Sequence, residues 1–272
     1  MIVDRVRRDG GASIADLARE LDVSSITIHR DLELLSQEGL LERVHGGARA
    51  IEHASPAPGA APIATAWEQR VQQAGAAKDA IAAHAAAQVA DGETVFLDAS
   101  STALALARQL MRAPRNELTV VTNSPAVAYE IAGESIHVVV TPGELDQHMR
   151  LLAGRWTVEF IATLNFAVAF VSAAGVTLEH GLTTARRPVA DVITAARASA
   201  GRVVGLLDSS KFGRASLLSI MPVEEADAII TDAGLPDDVA RSYRDAGIPL
   251  EVAAREPRRA ESAGAAAGPG TG

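Results

Sequence analysis

The 272-residue sequence predicts an α/β protein in two parts, a small helical module followed by a larger domain of alternating strands and helices. Three observations carry this expectation. The stretch Ser55-Pro56-Ala57-Pro58-Gly59-Ala60-Ala61-Pro62 breaks all hydrophobic periodicity, as an exposed linker does. Before it, apolar residues recur at helical spacing in two short segments; after it, strand-length apolar runs alternate with helical stretches to about residue 253. The boundaries therefore read as 1–52 for the module, 53–66 for the linker and 67–254 for the larger domain. Residues 255–272, a run of small residues with Gly and Pro, are expected to be a disordered tail.

Composition narrows the function classes. Apolar residues at 48% and charged residues at 22% suit a packed soluble core rather than a disordered chain. No window approaches the roughly 18 unbroken apolar residues of a membrane span, and the most apolar stretch, Phe166 to Val171, has the length of a strand. The first eight residues carry charges where a signal peptide needs an apolar core. With no cysteine there is no disulfide, thiolate nucleophile or cysteine metal site. The expectation is a cytoplasmic protein without a membrane partner, metal or cofactor. A net charge of −9 gives no whole-surface attraction for a polyanion, so any nucleic-acid footprint has to be local.

The module comes first in the chain. Ser13 is placed to cap a helix bearing Ile14, Leu17, Ala18 and Leu21, and Ser24 to cap a second bearing Ile28, Leu32 and Leu35. Asp22-Val23 leaves only a tight turn between them, and two helices joined this way form a helix-turn-helix. Residues 40–44 and 48–51 flank His45-Gly46-Gly47, a strand hairpin with a glycine-rich tip, so the unit reads as a winged helix. Hydroxyl, imidazole and guanidinium groups cluster near the start of the second helix, the part that meets bases and phosphates. The DNA-facing set is Ser24, Ser25, Thr27, Ile28, His29 and Arg30 of that helix with His45, Gly46 and Arg49 of the wing, although Ile28 also falls on the core stripe. A plain helical cap using the same stripes for packing leaves that polar cluster without a role. The first helix is short at its N-terminus, as expected if the natural start lies upstream of Met1.

In the larger domain strands are expected at 94–97, 118–121, 136–140, 166–171, 203–207, 228–231 and 250–253, with helices at 78–90, 103–111, 126–132, 157–163, 189–200 and 237–246. Such alternation implies βαβ units and a mainly parallel sheet covered on both faces, with ligands at the carboxyl ends of the strands. Four strand ends carry polar clusters: Asp98-Ala99-Ser100-Ser101-Thr102, Thr122-Asn123-Ser124, Thr141-Pro142-Gly143 and Asp208-Ser209-Ser210-Lys211. Free backbone N–H groups and a helix dipole behind the first favour a phosphate. Each cluster alone is better read as a helix cap, a turn or a surface lysine; their recurrence at equivalent positions argues for one polar pocket. The loop with Gly175, His180 and Gly181 follows the fourth strand.

These residues carry a family signature. Ser13-Ile14-Ala15-Asp16-Leu17-Ala18, Val23-Ser24-Ser25-Ile26-Thr27-Ile28-His29-Arg30-Asp31-Leu32 and Gly39-Leu40-Leu41-Glu42-Arg43-Val44-His45-Gly46-Gly47-Ala48 strongly resemble the DNA-binding domain of DeoR-family transcriptional regulators. The larger domain looks like that family's sensor domain through Lys78-Asp79-Ala80-Ile81-Ala82, Phe96-Leu97-Asp98, Thr122-Asn123-Ser124, Gly181-Leu182-Thr183-Thr184, Asp208-Ser209-Ser210-Lys211-Phe212-Gly213 and Ile230-Thr231-Asp232. The resemblance implies an N-terminal winged helix-turn-helix and a C-terminal α/β sensor domain similar to ribose-5-phosphate isomerase. It implies a repressor of carbohydrate-metabolism genes, bound to double-stranded operator DNA as a homo-oligomer (dimer or tetramer) and released by a phosphorylated sugar. By the same resemblance Ser100, Ser101 and Thr102 hold the phosphate. Asn123, Gly143 and Lys211 line the rest of the pocket, together with Asp98 and Gly181.

The sequence departs from the family pattern in several places. Ser100 and Ser101 stand where the usual loop has Gly and Thr, Pro142 where a glycine is frequent, His29 where Arg is common, and Ala167 where many relatives carry Asp. Two competing readings follow from the same residues. One is a sugar-phosphate isomerase-like enzyme with an accessory winged-helix domain, using Asp98 as base near Lys211. The other is an interaction module that has lost its response to an effector, motivated by the altered Ser100-Ser101 loop.

Overall fold

The computed structural model describes residues 2, 5–6, 11–21, 23–37, 41–44, 46–50, 66–113, 115–133, 135–147 and 149–254. The chain divides into two compact units, Met1–Ile63 and Ala64–Gly272. The linker expected at 53–66, apart from Ala66, and the tail at 255–272 lie outside the described residues, as do Asp22 of the expected turn and His45 of the expected wing tip.

The smaller unit runs β1 (Gly11–Ser13), α1 (Ile14–Leu21), α2 (Ser25–Gln37), β2 (Leu41–Val44) and β3 (Gly47–Ala50). Both helices begin where a serine can cap them: Ser13 Oγ accepts from the Asp16 N–H at 3.0 Å and Ser24 Oγ from the Thr27 N–H at 3.1 Å, each satisfying an otherwise orphaned first-turn donor. The hairpin β2–β3 gains a third antiparallel strand, β1, in the order β1-β3-β2. Three residues are too few for an alternation pattern, so β1 was illegible in the sequence. Its close approach fixes Gly47, because a Cβ there would lie 2.3 Å from the Ala12 carbonyl oxygen. Val6, Ile14, Leu17, Ile28, Leu32 and Ala48 make the core of this unit.

The larger unit contains α3 (Ala66–Gln72), α4 (Gly75–Ala86), β4 (Thr94–Leu97), α5 (Ser101–Arg112), β5 (Thr119–Thr122), α6 (Pro125–Glu130), β6 (His137–Val140), β7 (Glu144–Asp146), β8 (Leu151–Ala153) and α7 (Arg155–Ile161). It continues with β9 (Phe166–Val171), β10 (Gly175–Thr177), β11 (Gly181–Thr184), α8 (Arg187–Ala198), β12 (Ala200–Leu206), β13 (Leu218–Met221), β14 (Ala228–Asp232), α9 (Asp237–Asp245) and β15 (Leu250–Ala253). Seven strands form one parallel sheet in the order β15-β14-β12-β9-β4-β5-β6. The chain lays down β4, β5 and β6 in one direction, then returns to β9 on the other side of β4 and builds outward through β12, β14 and β15. The order therefore reverses between β4 and β9, the topological switch point at which helices diverge and leave a crevice.

Core packing follows the period of two along each strand. Val95, Leu97, Val168 and Phe170 enter one apolar cluster, while Phe96, Ala169 and Val171 between them enter the other. Both faces are therefore covered, as a parallel sheet requires.

All seven sheet strands expected from the sequence are present, with ends displaced by three residues at most. The differences lie elsewhere. The helix expected at 78–90 runs Gly75–Ala86 and starts from Ala74 in the left-handed region (φ 53°), with no side-chain cap to announce it. The helix α3, the two-stranded β7–β8 and the small antiparallel sheet β10-β11-β13 were not expected. Each is short and without clean alternation, so tertiary contact has to stabilise it.

Ile28 belongs to the core, not the outer face of α2: it is 0% exposed. Ile28→Ala should therefore lower the stability of the smaller unit by about 2–4 kcal/mol, measured as an earlier melting transition of that unit. An unchanged melting profile with weakened DNA binding would return Ile28 to the outer face.

Candidate functional site

The strand order predicts where a ligand can sit, and a cavity of about 230 Å³ opens there. It is walled by the residues that follow the carboxyl ends of four neighbouring strands: Asn123 after β5, Asp98 to Thr102 after β4, Ser172 to Ala174 after β9, and Asp208, Ser210 and Lys211 after β12. Val189, Val192 and Ile193 of α8 give an apolar wall, and Arg70, Gln73, Ala74 and Lys78 close it from the α3–α4 corner.

The polar groups are held firmly. Asp98, 5% exposed, accepts from the Ser100 N–H at 3.0 Å and the Ser172 N–H at 2.8 Å, joining the exits of β4 and β9. Ser100 is the cap of α5, accepting from the Ala103 N–H at 3.0 Å. Ser101 and Thr102, in the first turn beside it, line the cavity at the positive end of the helix dipole. Asn123, 2% exposed, donates from Nδ2 to the Leu152 carbonyl at 3.0 Å, which fixes its amide orientation. Its Oδ1 has no hydrogen-bond partner. Asp208 caps the short 3₁₀ turn Ser209–Lys211 and accepts from the Ser210 N–H at 3.1 Å, so Lys211 leaves a braced loop rather than a free surface.

Three cations converge here. Lys78, 6% exposed, donates to the carbonyl oxygens of Arg70 and Gln73 at the end of α3. Burial pushes its ammonium below the ordinary lysine value, opposed by Asp208 and reinforced by the repulsion of Lys211 and Arg70. Arg70 is lowered for the same first reason, burial, with Asp98 opposing. A desolvated set of like charges is relieved by a bound anion. Asp98 carries the opposite burden: burial raises its carboxyl to about 6, although hydrogen bonds from Ser100 and Ser172 and the charge of Arg70 pull it down.

Of the residues expected in the pocket, Asp98, Ser100, Ser101, Thr102, Asn123 and Lys211 come together and Gly143 and Gly181 do not. Gly143 follows β6, the edge strand furthest from the switch point on that side. A Cβ there (φ +151°) would lie 2.1 Å from Thr157 Oγ1 and 2.7 Å from the Ala153 carbonyl oxygen. Gly181 lies in the small antiparallel sheet at φ +65°, and its Cβ would stand 2.1 Å from the Met221 carbonyl oxygen. Both glycines are set by close backbone approach. Asp208, expected in a strand-end cluster but not named as a ligand contact, lines the pocket, whereas Arg70 and Lys78 were missed as pocket residues; Lys78 was singled out only as the start of the family motif Lys78-Asp79-Ala80-Ile81-Ala82.

In the smaller unit the start of α2 exposes Ser24, Ser25, Thr27, His29 and Arg30. Ser24 and Thr27 hydroxyls also bond each other at 2.9 Å. Ile26, absent from the expected set, is 82% exposed beside them and offers an apolar contact of the kind a thymine methyl takes. Gly46 is exposed at φ +83°, where a non-glycine residue would be strained. His45 and the side chain of Arg49 lie outside the described residues.

Residues 1–54 match the DeoR-like helix-turn-helix domain and residues 73–233 the DeoR C terminal sensor domain. The chain belongs to the DeoR family. The HTH-type transcriptional regulator GolR of Listeria innocua is 32% identical over 93% of this chain and 96% of its own length. The glycerol-3-phosphate regulon repressor of Escherichia coli is 29% identical over 92% of this chain and 96% of its own. Among solved structures, ribose 5-phosphate isomerase from Plasmodium falciparum aligns with 50% of this chain and 52% of its own, at 14% identity and a TM-score of 0.37. The chain thus spans about half the length of that enzyme. The DeoR-family relatives are transcriptional regulators rather than enzymes.

Two further properties hold for the described part of this DeoR-family chain. Among the described residues no helix is long and apolar enough to cross a membrane, and no three His, Asp or Glu side chains are grouped to hold a metal ion. Asp98 also dictates a pH dependence. Its folded-state carboxyl titrates near 6 against an ordinary value of 3.8, so between those values the folded protein holds a proton that the unfolded chain has released. Stability from this group is complete below about pH 4 and is lost as pH rises through 6. Asp98→Asn should therefore be more stable than the parent at pH 7.5 by about 1–2 kcal/mol, below the ceiling of about 3 kcal/mol that ~1.4 kcal/mol per pH unit sets between 3.8 and about 6, because the amide keeps only one acceptor. The difference should shrink toward zero by pH 4. Thermal melts across that range check it, and a pH-independent difference would show that the buried charge is not its source.

Proposed function

We propose that this chain is a cytoplasmic repressor that binds operator DNA through the α2 face of its smaller unit as a homo-oligomer and is released when a phosphorylated sugar or polyol occupies the cavity of the larger unit. The carrying observation is the cavity itself, which Arg70, Lys78 and Lys211 line together with the α5 N-terminus, while the buried Asn123 Oδ1 lacks a donor. An anion answers the cations and the helix dipole. A ligand hydroxyl answers Asn123, and further hydroxyls suit the acceptors Asp98 and Asp208. At about 230 Å³ the space lies below the roughly 300–1,000 Å³ typical of drug-sized sites, which favours a ligand of a few carbons.

The names of relatives support the regulatory half of this reading, since one is a regulon repressor named for a phosphorylated polyol. Two-fold pairing of the α2 faces follows from the symmetry of operator half-sites. Sequence at the operator would be read by Ser25, Thr27, His29 and Arg30, with Ile26 beside them.

The test is fluorescence anisotropy of a labelled fragment from upstream of this gene, at fixed salt because phosphate contacts are salt-sensitive. It is run with and without a pool of glycerol 3-phosphate, ribose 5-phosphate, glucose 6-phosphate and fructose 6-phosphate. Tight binding released by the pool is expected. Arg30→Ala should weaken DNA binding by about tenfold or more and leave pool-induced thermal stabilisation intact, whereas Lys211→Ala should abolish release and keep DNA affinity within about threefold. Loss of both activities in both variants would overturn the assignment of two separate sites.

A further inference from the structure

The short helix α3 is the first described element of the larger unit along the chain, so the covalent path from the pocket to the DNA-binding unit runs through it. It is also held in an unusual way. Its amino-terminal half is anchored by Trp67, buried at 8% against the core that includes α5, with the Arg150 guanidinium 5.5 Å above the indole ring. Its carboxyl-terminal half is anchored from within the pocket. Arg70 Nη1 donates to Met149 Sδ at 3.3 Å, and the Lys78 ammonium donates to the carbonyl oxygens of Arg70 and Gln73.

The hydrogen-bond acceptors at both pocket-side anchors are weaker than an anionic ligand, although the charges of Asp98 and Asp146 already act on Arg70 and that of Asp208 on Lys78. A thioether is a poor acceptor and a carbonyl a neutral one, while a phosphate or carboxylate takes charge-assisted bonds from guanidinium and ammonium. Backbone strain sits at the two ends of this arrangement: Ala74, just after α3, and Arg150, over Trp67, are non-glycine residues in the left-handed region at φ 53° and 52°. Such positions persist only where the surroundings hold them, and they are found where segments switch.

We infer that α3 transmits occupancy of the pocket to the DNA-binding unit: a bound anion draws Arg70 and Lys78 away from Met149 and from the α3 carbonyls, and the helix turns on its Trp67–Arg150 anchor. This rests on the reading of the cavity as an anion site. Arg150 does not line the cavity, so its contact with Trp67 belongs to the coupling and not to ligand binding. Arg150→Ala separates the two, because alanine at that position faces the same backbone demand as arginine while lacking the guanidinium.

The experiment measures two quantities on full-length parent and Arg150→Ala protein with the same sugar-phosphate pool: the pool-induced rise in melting temperature, and the ratio of operator Kd with and without pool. The expected result is a melting shift equal to the parent's with a Kd ratio that collapses to within about threefold of one. A parental Kd ratio in the variant overturns the inference, and so does loss of the melting shift, which would make Arg150 a ligand-binding residue. If the parent itself shows neither melting shift nor release, the anion-site reading fails and takes this inference with it. Hydrogen exchange on the parent gives a check that needs no variant: the pool should change exchange across residues 66–72 by tenfold or more, and unchanged exchange there overturns the inference.

Discussion

A buried carboxylate at the divergence of two strands organises the larger unit. Asp98 leaves the end of β4 and accepts from the backbone of Ser100, which opens α5, and of Ser172, which follows β9. The sheet order reverses between those two strands, so the bonds tie together the two chain segments that topology would otherwise let splay apart. Burying a charge there is unfavourable, as its raised carboxyl shows. The return is a rigid cavity floor to which the α5 N-terminus, Asn123 and the Asp208 loop are all referenced.

The remaining walls follow the same physical logic. The strands that flank the β4–β9 pair, β5 and β12, each end in a residue that caps its own exit: Thr122 Oγ1 accepts from the Ser124 N–H at 3.0 Å, and Asp208 accepts from the Ser210 N–H. Asp232 at the end of β14 accepts from the Ser209 and Gly234 N–H groups at 2.7 and 2.9 Å, bracing the loop that carries Lys211 from behind. Within each of these loops, structural capping and the lining of the cavity are thus divided between neighbouring residues. Ser100 and Asp208 hold the backbone, while Ser101, Thr102 and Lys211 are left to face the cavity.

The two units solve different problems. The larger one buries both faces of a seven-stranded sheet and can tolerate desolvated charges at its rim. The smaller one has a core of six buried side chains among the described residues, so its helix faces have little freedom: Ile28 and Leu32 must point inward, which turns the polar start of α2 outward. The third strand β1 completes this unit by pairing with β3 through Gly47, a contact that admits no side chain.

By itself the sequence determined the two-part organisation, all seven strands of the main sheet, the serine caps of α1 and α2, and four strand-end clusters, of which three line the pocket. These are local properties: periodicity, capping chemistry and turn residues act over a few positions and leave a readable pattern. Tertiary structure decided which clusters meet. The order of strands puts the β4, β5, β9 and β12 ends around one crevice and leaves the β6 end with Gly143 at the sheet edge, a matter of long-range pairing that no local pattern encodes. It likewise decided that Lys78, legible only as part of a family motif, and Arg70, an arginine in an unremarked segment, stand as a buried and a half-buried cation of the cavity. Short elements such as α3 depend on the rest of the fold to hold them, and their contribution could be seen only once it was in place.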